Sequence, residues 1–256
     1  MSSLLTAAIA TLIFCAPGYP GTAGDAQPFV DQFASAAAAS AGWPAGSLAA
    51  VYDPTEAGGL TRLASPEAVL AFVSYPFFVE HASQLHLTPL AQADVTGTGP
   101  TERWTLVASA SRPAGPQSLN GYTILSVAGY SPTFVRQSAL GAWALPANVR
   151  VESTGQILSA LRRVASGEPV VALLDQTQAA ALPTLPFARQ LTSVLQSAPF
   201  PVAILAVVDS RLTPARARAL QSGLLKMRRS GDADMLGSLH LQGFVVPQLP
   251  DTKTAQ

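Results

Sequence analysis

The chain has 256 residues and a formal net charge of zero, with 15 basic residues balancing 15 acidic ones and only 12% of residues charged. Nucleic acids and anionic membrane surfaces are usually bound through a broad basic surface, so this composition argues against both partners. The length fits one large domain or two lobes of about 100 to 150 residues each.

Cysteine and histidine usage argues against metal and cofactor sites. The single cysteine, Cys15, cannot form an internal disulfide, and its apolar surroundings in the sequence are typical of a buried side chain. The histidines at positions 81, 86 and 240 have none of the spacings of metal-binding motifs. We therefore expect neither a metal nor a cofactor.

The apolar run from Leu4 to Ala16 has two interpretations. It could be the core of a secretory signal, with Gly24, Asp25 and Ala26 as small or polar residues near a cleavage point, although no Lys or Arg precedes it. It could also be a buried strand followed by a Gly/Pro-rich loop that enters a helix near Asp25. We favour the strand, and we expect a leader that is absent or atypical. No run has the length of a membrane-spanning helix.

Strands and helices alternate along the first half of the chain. An alanine-rich helix follows the first strand, and the later strands are rich in Val, Leu and Phe. The predicted elements are a helix at 24–41, strands at 47–52 and 68–74, a helix from 75, and strands at 88–95 and 103–110. This alternation is the signature of an α/β fold with a largely parallel sheet.

A second α/β series begins after residues 111–121, which are rich in Pro, Gly and Ser, as expected of an interlobe connection or a surface loop. It comprises strands at 122–127, 149–152, 170–174 and 201–208, with helices at 131–140, 156–166, from 176, and at 214–229. Two such series would bring several strand ends together around one cleft.

Ligands of open α/β sheets bind at the carboxyl ends of the strands. The strand exits here fall at residues 16–25, 74–75, 129–133 and 175–176. They offer hydroxyl groups, glycine-rich backbone, three tyrosines and two acids, but no nucleophile beside a base, no carboxylate pair and no P-loop. Such groups suit binding of a small polar ligand rather than catalysis, so we do not expect an enzyme.

The segment TILSVAGYSPTFVRQ, residues 123–137, predicts a strand that leads directly into a helix. Ser131 is a favourable N-cap and Pro132 suits the first helical position. The free N–H groups of such a helix start can hold a phosphate, sulfate or carboxylate. The alternative is that Ser131 only caps its own helix.

Three segments together resemble the phosphate/phosphite/phosphonate substrate-binding proteins of ABC transporters, which are PhnD-like members of the type II periplasmic binding proteins. AVLAFVSYPFFVEH (68–81) resembles that family's strand ending in a small residue and Tyr before a helix. TILSVAGYSPTFVRQSAL (123–140) resembles the strand and helix start that hold the phosphoryl oxygens. ALRRVASGEPVVALLDQTQ (160–178) resembles the helix, turn and strand that end in an acidic cleft residue. The resemblance extends over nearly the whole chain.

The resemblance implies a two-lobed α/β fold with a mostly parallel sheet and flanking helices in each lobe. It implies that residues 1–108 and 209–256 form a first lobe holding both termini, and that 109–208 form a second. The chain would cross near 109–115 and return near 203–209. Closure of the lobes would bring their cleft residues together.

The resemblance also implies the ligand contacts: Tyr75 from the first lobe, Ser131 and Thr133 for the anion, and Asp175 for a ligand amino or hydroxyl group. From their Gly/Pro-rich loops, we add Tyr19 and Tyr130 as weaker candidates. Tyr75 has the alternative of a core aromatic, and Asp175 that of a helix N-cap.

The function implied by the resemblance is capture of a small anionic or zwitterionic ligand, phosphonate- or phosphate-like, for import through a membrane permease. We expect a monomeric protein located in the periplasm or otherwise outside the cytoplasm. The alternative is a sensing module that uses the same fold to report ligand occupancy to a signalling or membrane partner.

Overall fold

The computed structural model describes residues 10–19, 21–111, 115–227 and 233–250. In chain order the strands are β1 (Ala10–Cys15), β2 (Leu48–Asp53), β3 (Ala68–Ser74), β4 (Leu87–Val95), β5 (Thr101–Glu102), β6 (Thr105–Ser109), β7 (Thr123–Ser126), β8 (Arg150–Ser153), β9 (Val170–Leu174), β10 (Leu191–Gln196), β11 (Phe200–Pro201), β12 (Ala203–Val208) and β13 (Leu241–Val245). The helices are α1 (Ala23–Ser40), α2 (Glu56–Ala64), α3 (Tyr75–His81), α4 (Ile157–Ala165), α5 (Gln176–Ala181), α6 (Pro214–Met227) and α7 (Ala233–Ser238).

The strands form two main sheets. The first has the order β13-β4-β12-β3-β1-β2 and the second has the order β10-β6-β9-β7-β8, while β5 and β11 pair with each other between them. We call each main sheet with its helices a lobe: α1, α2, α3, α6 and α7 pack in the first lobe, and α4 and α5 in the second. The expected α/β architecture of two sheets with flanking helices is confirmed.

Strand direction within each sheet is mostly uniform. In the first sheet β12 and β13 run opposite to the other four strands, and in the second sheet only β6 is reversed. The reversed strands β6 and β12 lie next to the crossings between the sheets. A chain that enters a sheet from its neighbour can pair antiparallel without a long crossover helix.

The chain changes sheet earlier than the sequence suggests. β6, at 105–109, already hydrogen bonds with β9 and β10 of the second sheet, and β12, at 203–208, belongs to the first sheet. The two crossings therefore lie around the paired strands β5 and β11. The Pro/Gly-rich stretch 111–121 joins β6 to β7 within one sheet, so it is not an interlobe connection.

Local sequence signals explain most of the elements. The Thr22 hydroxyl accepts a hydrogen bond from the N–H of Asp25 at 3.2 Å and caps α1, which buries Val30 and Phe33 against the first sheet. β1 confirms the strand interpretation for residues 10–15, and residues 4–9 lie outside the described ranges. The helix predicted at 214–229 is present through Met227, and its last two residues also lie outside the described ranges.

A single apolar cluster extends from one lobe into the other. It contains Ile13 and Phe77 of the first lobe and Leu106, Ile124 and Phe134 of the second, all at most 2% exposed. Burial of apolar surface is the main favourable contribution to such packing. The two lobes are therefore in close contact, and the cleft between them is filled by side chains.

No helix within the described residues is both long and apolar enough to cross a membrane. Across the same residues, no group of three or more His, Cys, Asp or Glu side chains lies close enough together to hold a metal ion. Cys15 is buried, and burial together with the acids Asp53 and Glu56 raises the pKa of its thiol to about 12. A thiol with this pKa is protonated at neutral pH and is unreactive.

Candidate ligand site between the lobes

The predicted helix start at Ser131 is present, and its hydroxyl is fully buried. The chain is helical over 132–139, and all but the first two residues of that stretch form a wider, π-type turn. The Ser131 hydroxyl accepts a hydrogen bond from the N–H of Phe134 at 3.4 Å, so the capping role is confirmed. The same hydroxyl faces α3 of the first lobe.

A carboxylate from the opposite lobe occupies this helix start. Glu80 Oε2 accepts hydrogen bonds from the Ser131 hydroxyl at 2.9 Å and from the Thr133 N–H at 3.0 Å, and Glu80 Oε1 accepts from the Thr133 hydroxyl at 3.1 Å. We call these three donors of Ser131 and Thr133 the anion seat. Both residues assigned to anion binding therefore hold an anion, and that anion belongs to the chain itself.

The position of Glu80 follows from the start of α3. Pro76 stands in the first turn of that helix, where its missing N–H is not needed, and Glu80 lies one turn later on the same face. The carbonyl oxygen of Pro76 also lies 2.9 Å from the Ser131 hydroxyl oxygen, so the single hydroxyl proton is shared between this carbonyl and Glu80. One face of α3 thus presents a carbonyl and a carboxylate to the anion seat.

Gly129 allows β7 and the seat to approach the end of β8. A Cβ atom at position 129 would lie 2.2 Å from the carbonyl oxygen of Glu152, which is far inside van der Waals contact. We expect Gly129→Ala to lower the free energy of unfolding by about 2 kcal/mol in urea titrations. Gly115→Ala is the matched control, because a Cβ atom there would meet nothing within 4 Å. Equal effects of the two substitutions would contradict this close approach.

Tyr75 lies in an aromatic cluster at the lobe interface. Its ring stacks on those of Phe78 and Phe200, at centroid distances of 6.3 and 5.7 Å, and meets the edge of Phe134 at 6.0 Å. The side chain is 7% exposed, and burial raises the pKa of its hydroxyl to about 12. Its surroundings agree with the core-aromatic alternative, and its contact with a ligand stays a prediction.

Tyr130 and Tyr19 each join the lobes through a hydroxyl group. The Tyr130 hydroxyl lies 2.8 Å from the Ser74 hydroxyl at the end of β3. The Tyr19 hydroxyl, on the loop after β1, donates to Asp175 Oδ2 at 3.5 Å, a long hydrogen bond. Tyr19 as a whole is 36% exposed. Burial, and then the nearby carboxylates of Glu102 and Asp175, nevertheless raise the pKa of the Tyr19 hydroxyl.

Asp175 is the N-cap of α5. Its carboxylate accepts a hydrogen bond from the N–H of Gln178 at 2.8 Å. The side-chain oxygen of Gln178 in turn accepts a hydrogen bond from the N–H of Asp175 at 3.2 Å, which completes a capping box. The capping interpretation of Asp175 is confirmed. Burial also raises the pKa of this carboxyl, which is 4% exposed.

A second buried acid lies beside Asp175. Glu102, in the crossing strand β5, is 4% exposed. Burial, and then the negative charge of Asp175, raise the pKa of Glu102 to about 8 from its ordinary 4.5, although the backbone of Gln176 and the Trp104 indole act in the opposite direction. Glu102 is therefore mostly protonated at neutral pH, and this part of the interface carries less charge than its residues suggest.

Two cavities on the described part of the chain are lined by none of the six predicted contacts. One of about 610 Å³ lies on the second lobe between Arg103, α5 and β10, and another of about 160 Å³ lies near Leu182 and Pro183. Neither is lined by Tyr75, Ser131 or Thr133. A ligand at the anion seat would therefore need the lobes to separate and Glu80 to leave.

The structure brings the predicted residues together in pairs rather than around one open pocket. Ser131 and Thr133 share Glu80, Tyr19 meets Asp175, and Tyr130 meets Ser74. Sequence reasoning missed Glu80 and Glu102, and it noted Ser74 only as the hydroxyl at the end of a strand. Glu80 had a signal, since it is the only acid in the apolar helix YPFFVEH. Glu102 had no such signal in the sequence, because its burial depends on contact between the two crossing segments, which are far apart in the chain.

No family model matches the sequence, and no curated protein matches it. Solved structures do. A Xanthomonas citri protein, XAC2383, solved with bound ATP, is 16% identical with a TM-score of 0.68, over 95% of this chain and 93% of that one. A binding-protein component of the ABC phosphonate transporter of Pseudomonas aeruginosa is 16% identical with a TM-score of 0.56, over 93% and 82%. A histidine kinase sensor domain similar to periplasmic binding proteins is 17% identical with a TM-score of 0.53, over 94% and 99%.

These similarities show the fold. The chain has the type II periplasmic-binding-protein fold, and its structural relatives include solute-binding proteins and sensor domains. A binding-protein component of an ABC phosphonate transporter and PhnD1 of Prochlorococcus marinus, solved with methylphosphonate, are among the similar structures, at 16% and 13% identity.

Proposed function

We propose that the protein is a two-lobed solute-binding protein that captures a small oxyanion-bearing ligand between its lobes. The observation that carries this proposal is the anion seat, where three donors from Ser131 and Thr133 hold a carboxylate. Hydrogen bonds to an ionised acceptor are roughly twice as strong as those between neutral groups. A ligand oxyanion would replace Glu80 at these donors.

Ligand entry would use a hinge at β5 and β11. The lobes are joined there by two short strands, and elsewhere by the shared apolar cluster and the hydrogen bonds of Glu80, Tyr130 and Tyr19. A few connecting residues suffice for hinge motions of this kind. Tyr75 of the first lobe and Asp175 of the second would face the ligand once the lobes separate.

The Pseudomonas protein with this fold is a binding-protein component of an ABC phosphonate transporter, and a corresponding role here would be delivery of the ligand to a membrane permease. We extend that role to this chain as a monomeric protein outside the cytoplasm, with phosphonate or phosphate as the first compounds to test. The bound compound would be released unchanged, since no catalytic set lies at the seat.

A thermal-shift screen tests the binding proposal, because a ligand that binds only the folded state raises Tm. The probes are phosphate, methylphosphonate, sulfate, acetate and ATP. We expect Ser131→Ala combined with Thr133→Val to remove any rise in Tm, since the double variant lacks two of the three donors. Phosphorus NMR of the bound phosphoryl compounds would show whether they are recovered intact.

The control for this screen is Ser159→Ala combined with Thr184→Val, which removes two exposed hydroxyl groups that do not belong to the seat. The control should keep the full ligand response. An undiminished response in the Ser131/Thr133 variant would refute the assignment of the seat.

A sensing module is the second candidate function, and the closed interface favours it. Aromatic side chains and Glu80 already fill the cleft. A filled cleft is expected of a domain that switches between two conformations, and not of one that stays open until its ligand binds. Ligand-dependent binding to the extracytoplasmic domain of a receptor would support sensing. Ligand-dependent stimulation of ATP hydrolysis by a reconstituted permease would support transport.

A further inference from the structure

We infer that the anion seat is a carboxylate site, with Glu80 as its resident occupant, and that the ligand it takes from solution is a small carboxylate in competition with that side chain. This inference rests on the proposed function, because it names the ligand class of the same site. It departs from the phosphonate class implied by the sequence.

The donors of the anion seat suit a ligand that carries a single negative charge. Its donors are two hydroxyls and one backbone N–H, and none of its hydrogen bonds comes from Lys, Arg or His. The nearby His81 ring instead pairs with Glu56 at 2.9 Å, and the Arg136 guanidinium donates to the carbonyl of Val149. A phosphate or phosphonate dianion carries more charge and more acceptor oxygens than these donors neutralise.

The shape of the seat suits a planar group with two oxygens. Glu80 Oε1 meets one donor and Oε2 meets two, so both oxygens of a carboxylate are engaged. A third oxygen would find no further N–H at Pro132, which has none. It would also approach the carbonyl of Pro76, an acceptor that already lies 2.9 Å from the Ser131 hydroxyl.

Removal of the Glu80 side chain leaves a space at the anion seat, and the shape of the removed atoms decides which small anion should be used as a probe. Glu80→Ala deletes the side chain from Cγ outward, and those atoms together have the composition and shape of acetate. We expect Glu80→Ala to lower Tm by about 5 °C, because charge-assisted hydrogen bonds between the lobes are lost. Acetate should then restore much of that loss, whereas chloride, phosphate and methylphosphonate at the same ionic strength should not.

Two controls connect any rescue to the seat. Glu168→Ala removes an exposed carboxylate that pairs with Arg163, and acetate should leave its Tm unchanged. Adding Ser131→Ala and Thr133→Val to Glu80→Ala should abolish the acetate effect. Glu80→Gln is a milder second variant in case Glu80→Ala does not fold. In it, acetate should shift the Thr133 amide resonance with an apparent Kd at least about tenfold lower than in the unmodified protein, where the tethered Glu80 competes.

The outcomes separate the two proposals. Rescue by acetate alone supports a carboxylate site. Rescue by phosphate or methylphosphonate, as strong as that by acetate or stronger, overturns the carboxylate class and leaves the proposed function standing. Absence of any response to every anion, in both the unmodified protein and the Glu80 variants, overturns the carboxylate inference and the proposed function together.

Discussion

Phe134→Ala is expected to lower the free energy of unfolding by about 4 kcal/mol and Tm by about 10 °C. The Phe134 ring is fully buried and meets the edges of Trp104 and Phe200 at centroid distances of 5.2 and 5.7 Å, in addition to Tyr75. These partners come from the first lobe and from both crossings, so the substitution opens a cavity where the lobes meet. Urea titration followed by tryptophan fluorescence measures the change.

Phe29→Ala is the matched control for this prediction. Phe29 lies on α1 and is 41% exposed, so its removal leaves no enclosed cavity. We expect a change below about 0.5 kcal/mol. A similar small change for Phe134→Ala would mean that the lobes are apart in solution and that the shared apolar cluster does not form.

Glu102→Gln is expected to stabilise the protein at alkaline pH, by an amount on the order of 4 kcal/mol at pH 9. The folded state keeps the Glu102 proton up to a pKa of about 8, whereas the unfolded chain releases it near 4.5. The stability contributed by this proton is fully present below pH 4.5, declines as pH rises, and is lost above about pH 8. Glutamine is neutral throughout, so the variant avoids that loss.

The measurement is Tm against pH from 5 to 9 for both proteins, in buffers of equal ionic strength. The difference between variant and unmodified protein should grow with pH and level off above about pH 8. Glu168→Gln, an exposed carboxylate, should give a small difference that does not depend on pH in this range. A constant difference for Glu102→Gln would show that Glu102 is ionised in the folded protein at neutral pH, contrary to its buried position beside Asp175.

The contacts between the lobes bear on both candidate functions. In a transporter component, ligand binding would replace Glu80 and close the lobes around the ligand. In a sensor, the replacement of Glu80 would itself be the signal, because it breaks the hydrogen bonds that join α3 to the helix start at Ser131. A ligand shifts such an equilibrium only by its difference in affinity between the two states. Scattering measurements of the radius of gyration with and without acetate would show which state the ligand favours.

The sequence by itself determined the α/β class, most strand and helix positions, and the caps at Ser131 and Asp175. These features depend on side-chain periodicity and on hydrogen bonds between residues three or four positions apart, which are readable locally. It did not predict β10 or β13, whose residues show little alternation and whose pairing partners lie far away in the chain.

Only the tertiary structure decided what the helix start at Ser131 holds. The contact between Glu80 and Ser131 joins residues 51 positions apart, and the contact with Thr133 joins residues 53 apart. It exists because two separately formed sheets pack through one apolar cluster, and this packing brings α3 against the end of β7. The same packing buries Glu102 beside Asp175 at the crossing. A pattern of neighbouring residues can predict a donor-rich helix start, but the acceptor that fills it depends on how the two lobes meet.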